Sequence, residues 1–308
     1  MIELLNFTKR YGGLTAVDNL SLRIAPGELF GFIGPNGAGK STTIRFLVTL
    51  LRADEGEGRV NGYSVTRQPL DVRRNLGYMP DAFGTYDGMK VWEFLDFFAA
   101  AYQIPLGPRR KVVADVIELL DLGGKRDAYV NSLSRGMTQR LCLAKTLVHD
   151  PPALILDEPT SGLDPRARLE IKALLRELRG MGKTILIASH ILSELADCCT
   201  SIGIVERGKL VSYGPIDEIA RQIRRHRKVD IRFIAGQDRG IAILRRHPAL
   251  LDLREEADRV LVEVATDDEG LATIVDEFHR EGVRFRSFAD LEPTLEDVFL
   301  TVTKGVVN

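Results

Sequence analysis

Two short stretches of this 308-residue chain carry residue types that can do phosphate chemistry. Gly34-Pro35-Asn36-Gly37-Ala38-Gly39-Lys40-Ser41, with Thr42 beside it, fits G-x-x-x-x-G-K-[ST] after an apolar run and before a helical pattern. Its glycines let the backbone wrap round phosphate with N–H groups turned inward, and the following helix adds its N-terminal partial charge. Lys40 is placed to neutralise the β- and γ-phosphates, and the Ser41 hydroxyl to bind Mg²⁺. The second stretch, Leu154-Ile155-Leu156-Asp157-Glu158, ends an apolar run on two carboxylates. Asp157 suits a Mg²⁺ held through water, and Glu158 suits a base for the attacking water. A second acid after the metal ligand favours ATP hydrolysis over small-GTPase chemistry, and no N-K-x-D guanine-reading motif is present. The expected ligands are therefore ATP and Mg²⁺.

Between these stretches lies Leu133-Ser134-Arg135-Gly136-Met137-Thr138-Gln139-Arg140. Ser134 is a good N-cap for a helix running to His149, and the N–H groups after it can grip an anion. Taken alone, these eight residues support an ordinary capped helix. Taken in order with the phosphate cradle and the acidic pair, they resemble the ABC-type ATPases, in which the corresponding Leu-Ser-x-Gly-x segment completes the ATP site of a second subunit. The resemblance covers Met1 to about Arg221. It implies that Tyr11 stacks on adenine and that Ser161-Gly162-Leu163-Asp164 is the D-loop, with Asp164 communicating across a dimer. It also implies that His190 contacts the γ-phosphate.

Two departures stand out. Arg135 replaces the first Gly of the signature and Met137 its Gln, while Ser134 and Gly136 remain for backbone contact. Asp81 stands where members usually carry Gln or Glu to touch Mg²⁺ or the lytic water. Its shorter side chain suits a water-bridged contact better than a direct one. The segment Leu291 to Leu300 is similar to the tail of ATPases that serve ABC-2-type exporters. The implied partners are an integral membrane permease and a second ATPase subunit, in a homodimer or heterodimer at the cytoplasmic face of the membrane. The alternatives are a soluble ABC ATPase uncoupled from transport, or a regulatory subunit with poor turnover. The first usually has two ATPase domains or a long coiled-coil insert, and the full set Lys40, Asp157, Glu158 and His190 disfavours the second.

These residues need a particular frame. Leu29 to Ile33, Ala153 to Leu156 and Thr184 to Ala188 are continuous apolar runs of buried-strand type. Ser41 to Leu51 and Arg166 to Arg179 have helical spacing, the latter suited to a crossover between parallel strands. Ile2 to Phe7 and Val17 to Ile24 read as strands of a smaller antiparallel sheet. The fold class is thus α/β, a P-loop NTPase of ABC type with a mostly parallel core, an antiparallel β subdomain and a helical subdomain at about 85–150. The basic run Arg221 to Lys228 reads as a solvated linker closing a domain at 1–221. A second domain, 229–308, follows the order βαββαβ of a small ferredoxin-like sandwich. Its strands are Val229 to Ile234, Leu250 to Arg254, Val260 to Ala265 and Val283 to Phe288. Its helices are Arg239 to Arg246 and Gly270 to Arg280, and a last helix is expected at Leu295 to Val302.

Composition narrows the function further. Hydrophobic residues make up 44% and charged residues 28%, ordinary for a core-forming protein. A net charge of -1 gives no field pointing to nucleic acid. The longest nearly apolar stretch, Phe97 to Tyr102, is far short of the roughly 20 residues that span a bilayer, so a membrane link must come through a partner. Residues 1–6 lack the basic and apolar regions of a secretory signal. Cys142, Cys198 and Cys199 show no C-x-x-C spacing, and the five histidines show no H-x-x-x-H, so reduced thiols and no structural metal are expected.

Overall fold

The structure is a computed structural model. It describes residues 1–82, 84, 86, 88–191, 195, 198–216, 218–219, 227–256 and 258–291. The expected helix at Leu295 to Val302, most of the exporter-like tail and the basic residues 221–226 lie outside these. The chain divides into two compact units, Met1–Ile216 and Asp217–Asn308.

The first unit begins with a hairpin of β1 (Ile2–Tyr11) and β2 (Leu14–Ile24), which opens the antiparallel sheet. Then come β3 (Leu29–Ile33), α1 (Lys40–Leu47), β4 (Glu55–Val60), β5 (Tyr63–Ser64), α2 (Pro69–Arg74) and β6 (Leu76–Met79). The helical part holds α3 (Val91–Ala101), α4 (Leu106–Leu119) and α5 (Arg135–Leu147). Last are β7 (Ala153–Asp157), α6 (Pro165–Gly180), β8 (Thr184–Ser189), β9 (Ser201–Glu206) and β10 (Lys209–Pro215). The antiparallel sheet has the order β2-β1-β4-β5 and the larger sheet β10-β9-β3-β8-β7-β6. In the larger sheet only β10 pairs antiparallel. β3, β7 and β8 are buried along their whole length, which is why their sequences are apolar without alternation. One core joins the two sheets across α1, with Phe7 stacked on Phe46 at 4.4 Å between ring centroids.

Register places the chemistry. Ile33 pairs with Ser189 on one side of β8, and Ala188 pairs with Asp157 on the other. Neighbouring strands sit about 4.8 Å apart, so the C-terminal ends of β3, β8 and β7 fall within roughly 10 Å of each other. That edge of a parallel sheet is where open α/β folds bind ligands.

Some limits differ from the sequence expectation. β1 continues to Tyr11 because Tyr11 pairs with Leu14 across the hairpin, a backbone contact that needs no apolar alternation. α1 stops at Leu47, not Leu51, and Thr49 adopts φ 66, which ends helical geometry. The start of α3 is tied down by the N–H groups of Val91 and Trp92, which donate to Ala128 O and Arg126 O at 3.0 and 3.2 Å.

The second unit contains β11 (Arg227–Ala235), α7 (Gln237–Arg246), β12 (Leu250–Glu255), β13 (Val260–Val264), α8 (Asp268–Arg280) and β14 (Arg284–Leu291). Its sheet is antiparallel, with order β12-β13-β11-β14, the arrangement of a ferredoxin-like sandwich. Val229, Ile231, Leu244 and Phe278 are among its buried core.

Candidate active site

A cavity of about 400 Å³ opens at the edge where β3 and β7 end. Asn36, Gly37, Ala38, Gly39, Lys40, Ser41 and Thr42 form one wall, and Asp81, Asp157 and Glu158 another. Tyr11, 46% exposed, stands at the rim with Leu14 and Ala16, which the sequence reading missed because nothing in their residue types marks them. Lys9 Nζ lies 5.6 Å from the Tyr11 ring centroid.

The loop owes its shape to its glycines. Gly39 caps α1 at φ 101, a conformation costly for residues with a Cβ, and no side chain caps the helix there. The first N–H groups of α1 are therefore left for whatever enters the cavity. Lys40 is only 7% exposed. Its ammonium donates to Gly34 O at 2.6 Å and Pro35 O at 3.1 Å. Burial lowers its pKa, while Glu158 and Asp157 pull the other way.

Asp157 is 8% exposed. Burial first, then the nearby charges of Glu158 and Asp81, push its pKa up to about 6, against the pull of Lys40 and Arg45. Asp81, Asp157 and Glu158 line the cavity together with Ser41, although no three acids lie close enough to cage a metal by themselves among the described residues. Their hard oxygens suit a small divalent cation that also takes phosphate ligands. The crowding that raises Asp157 is the kind a bound cation would relieve, so the residues present fit Mg²⁺.

Glu158 sits just past β7 with φ 51, and its N–H donates to Ala188 O at 3.0 Å. Its carboxylate is held by the next strand. His190 N and Nδ1 lie 3.0 and 2.8 Å from Oε1, and Ser189 Oγ–H donates to Oε2 at 3.3 Å. The His190 side chain stays 43% exposed. Ser189 is a further residue the sequence reading passed over, although it adjoins His190.

The Ser134 segment is elsewhere: Ser134, Arg135, Gly136, Met137 and Asp164 do not line the cavity. Ser134 caps α5 by accepting from Met137 N at 3.4 Å, and Asp164 caps α6 by accepting from Ala167 N at 2.9 Å. The two turns meet one another. Gln139 Nε2 donates to Pro159 O at 2.6 Å, and Arg135 donates to Ser161 O at 3.3 Å. These links cross between elements far apart in sequence, so local pattern could not reveal them.

Known proteins resemble this chain along nearly its whole length. Residues 17–161 match the family model described as ABC transporter, and residues 214–303 match that of the ATP-binding protein DrrA1-3-like, C-terminal domain. The chain is 36% identical to the Nod factor export ATP-binding protein I of Paraburkholderia xenovorans (strain LB400), over 98% of this chain and 96% of that one. It is 34% identical to the daunorubicin resistance ATP-binding protein DrrA3 of Streptomyces coeruleorubidus, over 96% and 93%. Among solved structures, an ATP-binding subunit of an ABC transporter superposes with TM-score 0.66 at 28% identity, over 73% of this chain and 93% of that one. A dimeric ATP-binding cassette in a post-hydrolysis state, bound to ADP and Pi, superposes with TM-score 0.64 at 25% identity, over 70% and 99%.

Proposed function

Because the chain belongs to the ATP-binding proteins of ABC transporters and is an ABC-type ATPase, we propose that two ATPase subunits close on ATP to drive export through a separate membrane permease. One observation carries the two-subunit reading. The nucleotide cavity is lined by the Gly-rich loop and the acids and not by the Ser134 turn, where Met137 N is held by the Ser134 hydroxyl and the Gly136 N–H at the head of α5 has no acceptor among the described residues. A second copy of that turn supplies the missing donors, and ATP becomes the contact between subunits.

The residues then act as follows. Tyr11 stacks on adenine, and the N–H groups from Gly37 to Thr42 receive the phosphates. Lys40 exchanges its loop carbonyls for phosphate oxygens. Ser41 and Asp157 would hold Mg²⁺, with Asp81 suited to a water-bridged rather than a direct role, and the metal would supply neutralisation of phosphate charge. Glu158 takes the proton of the attacking water as water oxygen bonds to the γ-phosphorus. The bond to the β–γ bridging oxygen breaks, leaving ADP and inorganic phosphate. His190 aims the Glu158 carboxylate through Nδ1 and contacts the γ-phosphate. The donors of Ser134 and Gly136 from the other subunit stabilise the transferring phosphoryl group, joined by Met137 N once it leaves the Ser134 hydroxyl. Loss of that phosphate removes the bridge, and the subunits part.

Support for the membrane partner comes from three sides. Among the described residues no helix is long and apolar enough to cross a membrane. The relatives are named for Nod factor export and daunorubicin resistance. Beyond Asp81, Tyr86 and Phe97 expose aromatic rings beside Phe98, an apolar landing for a permease helix on the cytoplasmic face. The C-terminal unit, 229–308 in the sequence reading, serves as an accessory or regulatory domain.

The test is Glu158→Gln. It keeps ATP binding and yields an ATP-dependent dimer in size-exclusion chromatography, while phosphate release falls about 10²–10⁴-fold. Hydrolysis at the wild-type rate would remove Glu158 from its role.

A further inference from the structure

Arg135 opens α5 one residue after its cap, yet its guanidinium turns onto another loop. One nitrogen donates to Ser161 O at 3.3 Å. The group also lies against Gly162 so closely that a Cβ there would overlap it, and Gly162 has φ 66. The left-handed backbone disfavours a side chain there, and any Cβ would have to displace the Arg135 guanidinium. One turn along α5, Gln139 holds Pro159 O at 2.6 Å. A Cβ placed on Gly136 would meet Leu163 and Ala167 at 3.9 and 3.7 Å, so both lie near it.

The loop so gripped begins immediately after Glu158 and is a tight turn. Ser161 N donates to Glu158 O at 3.1 Å, and Leu163 N to Thr160 O at 3.3 Å. A displacement of Ser161 therefore reaches the Glu158 backbone through one hydrogen bond. The whole path runs from the Ser134 turn, through the Arg135 guanidinium and Ser161 carbonyl, to the carboxylate that His190 aims.

We propose that Arg135 is a positioning residue that couples the two ATP sites of the dimer, so that contact of the Ser134 turn with the partner's ATP sets Glu158 for hydrolysis of this chain's own. The proposal rests on the two-subunit reading above. There the Ser134 turn serves one nucleotide and Glu158 the other, and Arg135 is the side chain that spans them. Its planar fork explains the choice of residue. It donates to a carbonyl while the rest of its rigid group lies close to Gly162, which a compact lysine ammonium cannot reproduce.

The experiment compares wild type, Arg135→Ala and Arg135→Lys in steady-state ATP hydrolysis over a range of ATP concentrations. ATP affinity by fluorescent-nucleotide titration and melting temperature are measured alongside. Wild type gives a Hill coefficient near 2, and Arg135→Ala drops it to about 1. Loss of aim lowers kcat about tenfold in the same variant. ATP affinity and melting temperature stay at wild-type values, and Arg135→Lys recovers part of the cooperativity. The proposal is overturned if Arg135→Ala keeps the wild-type Hill coefficient and kcat. It is equally overturned if melting temperature, affinity and kcat fall together, because the contact would then only hold the fold. A wild type whose hydrolysis is non-cooperative sinks the two-subunit reading itself, and is recognised before any variant is compared.

Discussion

Lys40 carries a charge into a place that disfavours charge, and two carbonyls 2.6 and 3.1 Å away hold it there. A phosphate oxygen is a better acceptor for an ammonium than a neutral carbonyl, so nucleotide draws the side chain over. Lys40→Ala should weaken ATP binding about 10- to 100-fold, the worth of one or two charged hydrogen bonds. Unchanged affinity in a nucleotide titration would count against the cradle. His149 tests burial of another kind. It stacks on Tyr102 with 3.6 Å between ring centroids, and its Nε2 lies 3.2 Å from Leu76 O. Burial, foremost, pulls its pKa down to about 4 from 6.5. Between those values the unfolded chain binds more protons than the folded one, so stability falls as pH drops from 6.5 to 4. Asp157 works in the opposite sense, since its pKa is raised from 3.8 to about 6 and the folded state binds the extra proton there. The wild type therefore shows a muted acid dependence. His149→Phe keeps the stacking and deletes the titration, removing a slope of at most about 1.4 kcal/mol per pH unit. Urea unfolding of both proteins at pH 7 and pH 5 measures it. An identical pH response in the two would show that His149 is not held neutral.

At the scale of elements, α5 joins two kinds of information. Its N-terminus is set by Ser134, a local signal that the sequence displays openly. Ser134→Ala should cost about 1 kcal/mol of stability in urea unfolding, as loss of a cap does. A neutral result would mean that the 3.4 Å bond from Met137 N contributes nothing. The strands were equally legible. β3, β7 and β8 are buried on both faces, so their composition announces them and their ends carry the Gly-rich loop, the acids and His190. Less legible were contacts set by register and by long-range packing. Ser189 reaches Glu158 only because β8 lies between β3 and β7, and Arg135 finds Ser161 only because α5 packs on the turn after β7. The ends of β1 and α1 were misplaced for a related reason. A hairpin pairing and a single left-handed Thr49 decide them, and neither leaves a periodic trace.

At the scale of the molecule, the chain is two compact units, the first built on two sheets and the second on one. Such a chain departs from a single cooperative transition. ATP binds the unit that contains Lys40, and a ligand stabilises what it binds by about 2.7 kcal/mol at a hundred times its dissociation constant. Calorimetry with and without ATP should therefore move the melting of Met1–Ile216 and leave that of Asp217–Asn308 in place. One transition, moving as a whole, would show the units to be thermodynamically inseparable.

The hydrogen bond from Trp92 N to Arg126 O then has a practical consequence. Trp92 is the single tryptophan of the chain. It stands at the first turn of α3, half-buried, in the part of the protein that carries Tyr86 and Phe97. The protein thus contains one built-in indole reporter, and it belongs to the first unit. Emission excited at the indole band follows the first unit alone, while peptide circular dichroism follows both. Subtracting one signal from the other isolates the melting of residues 217–308 without a label, a cut or a mutation.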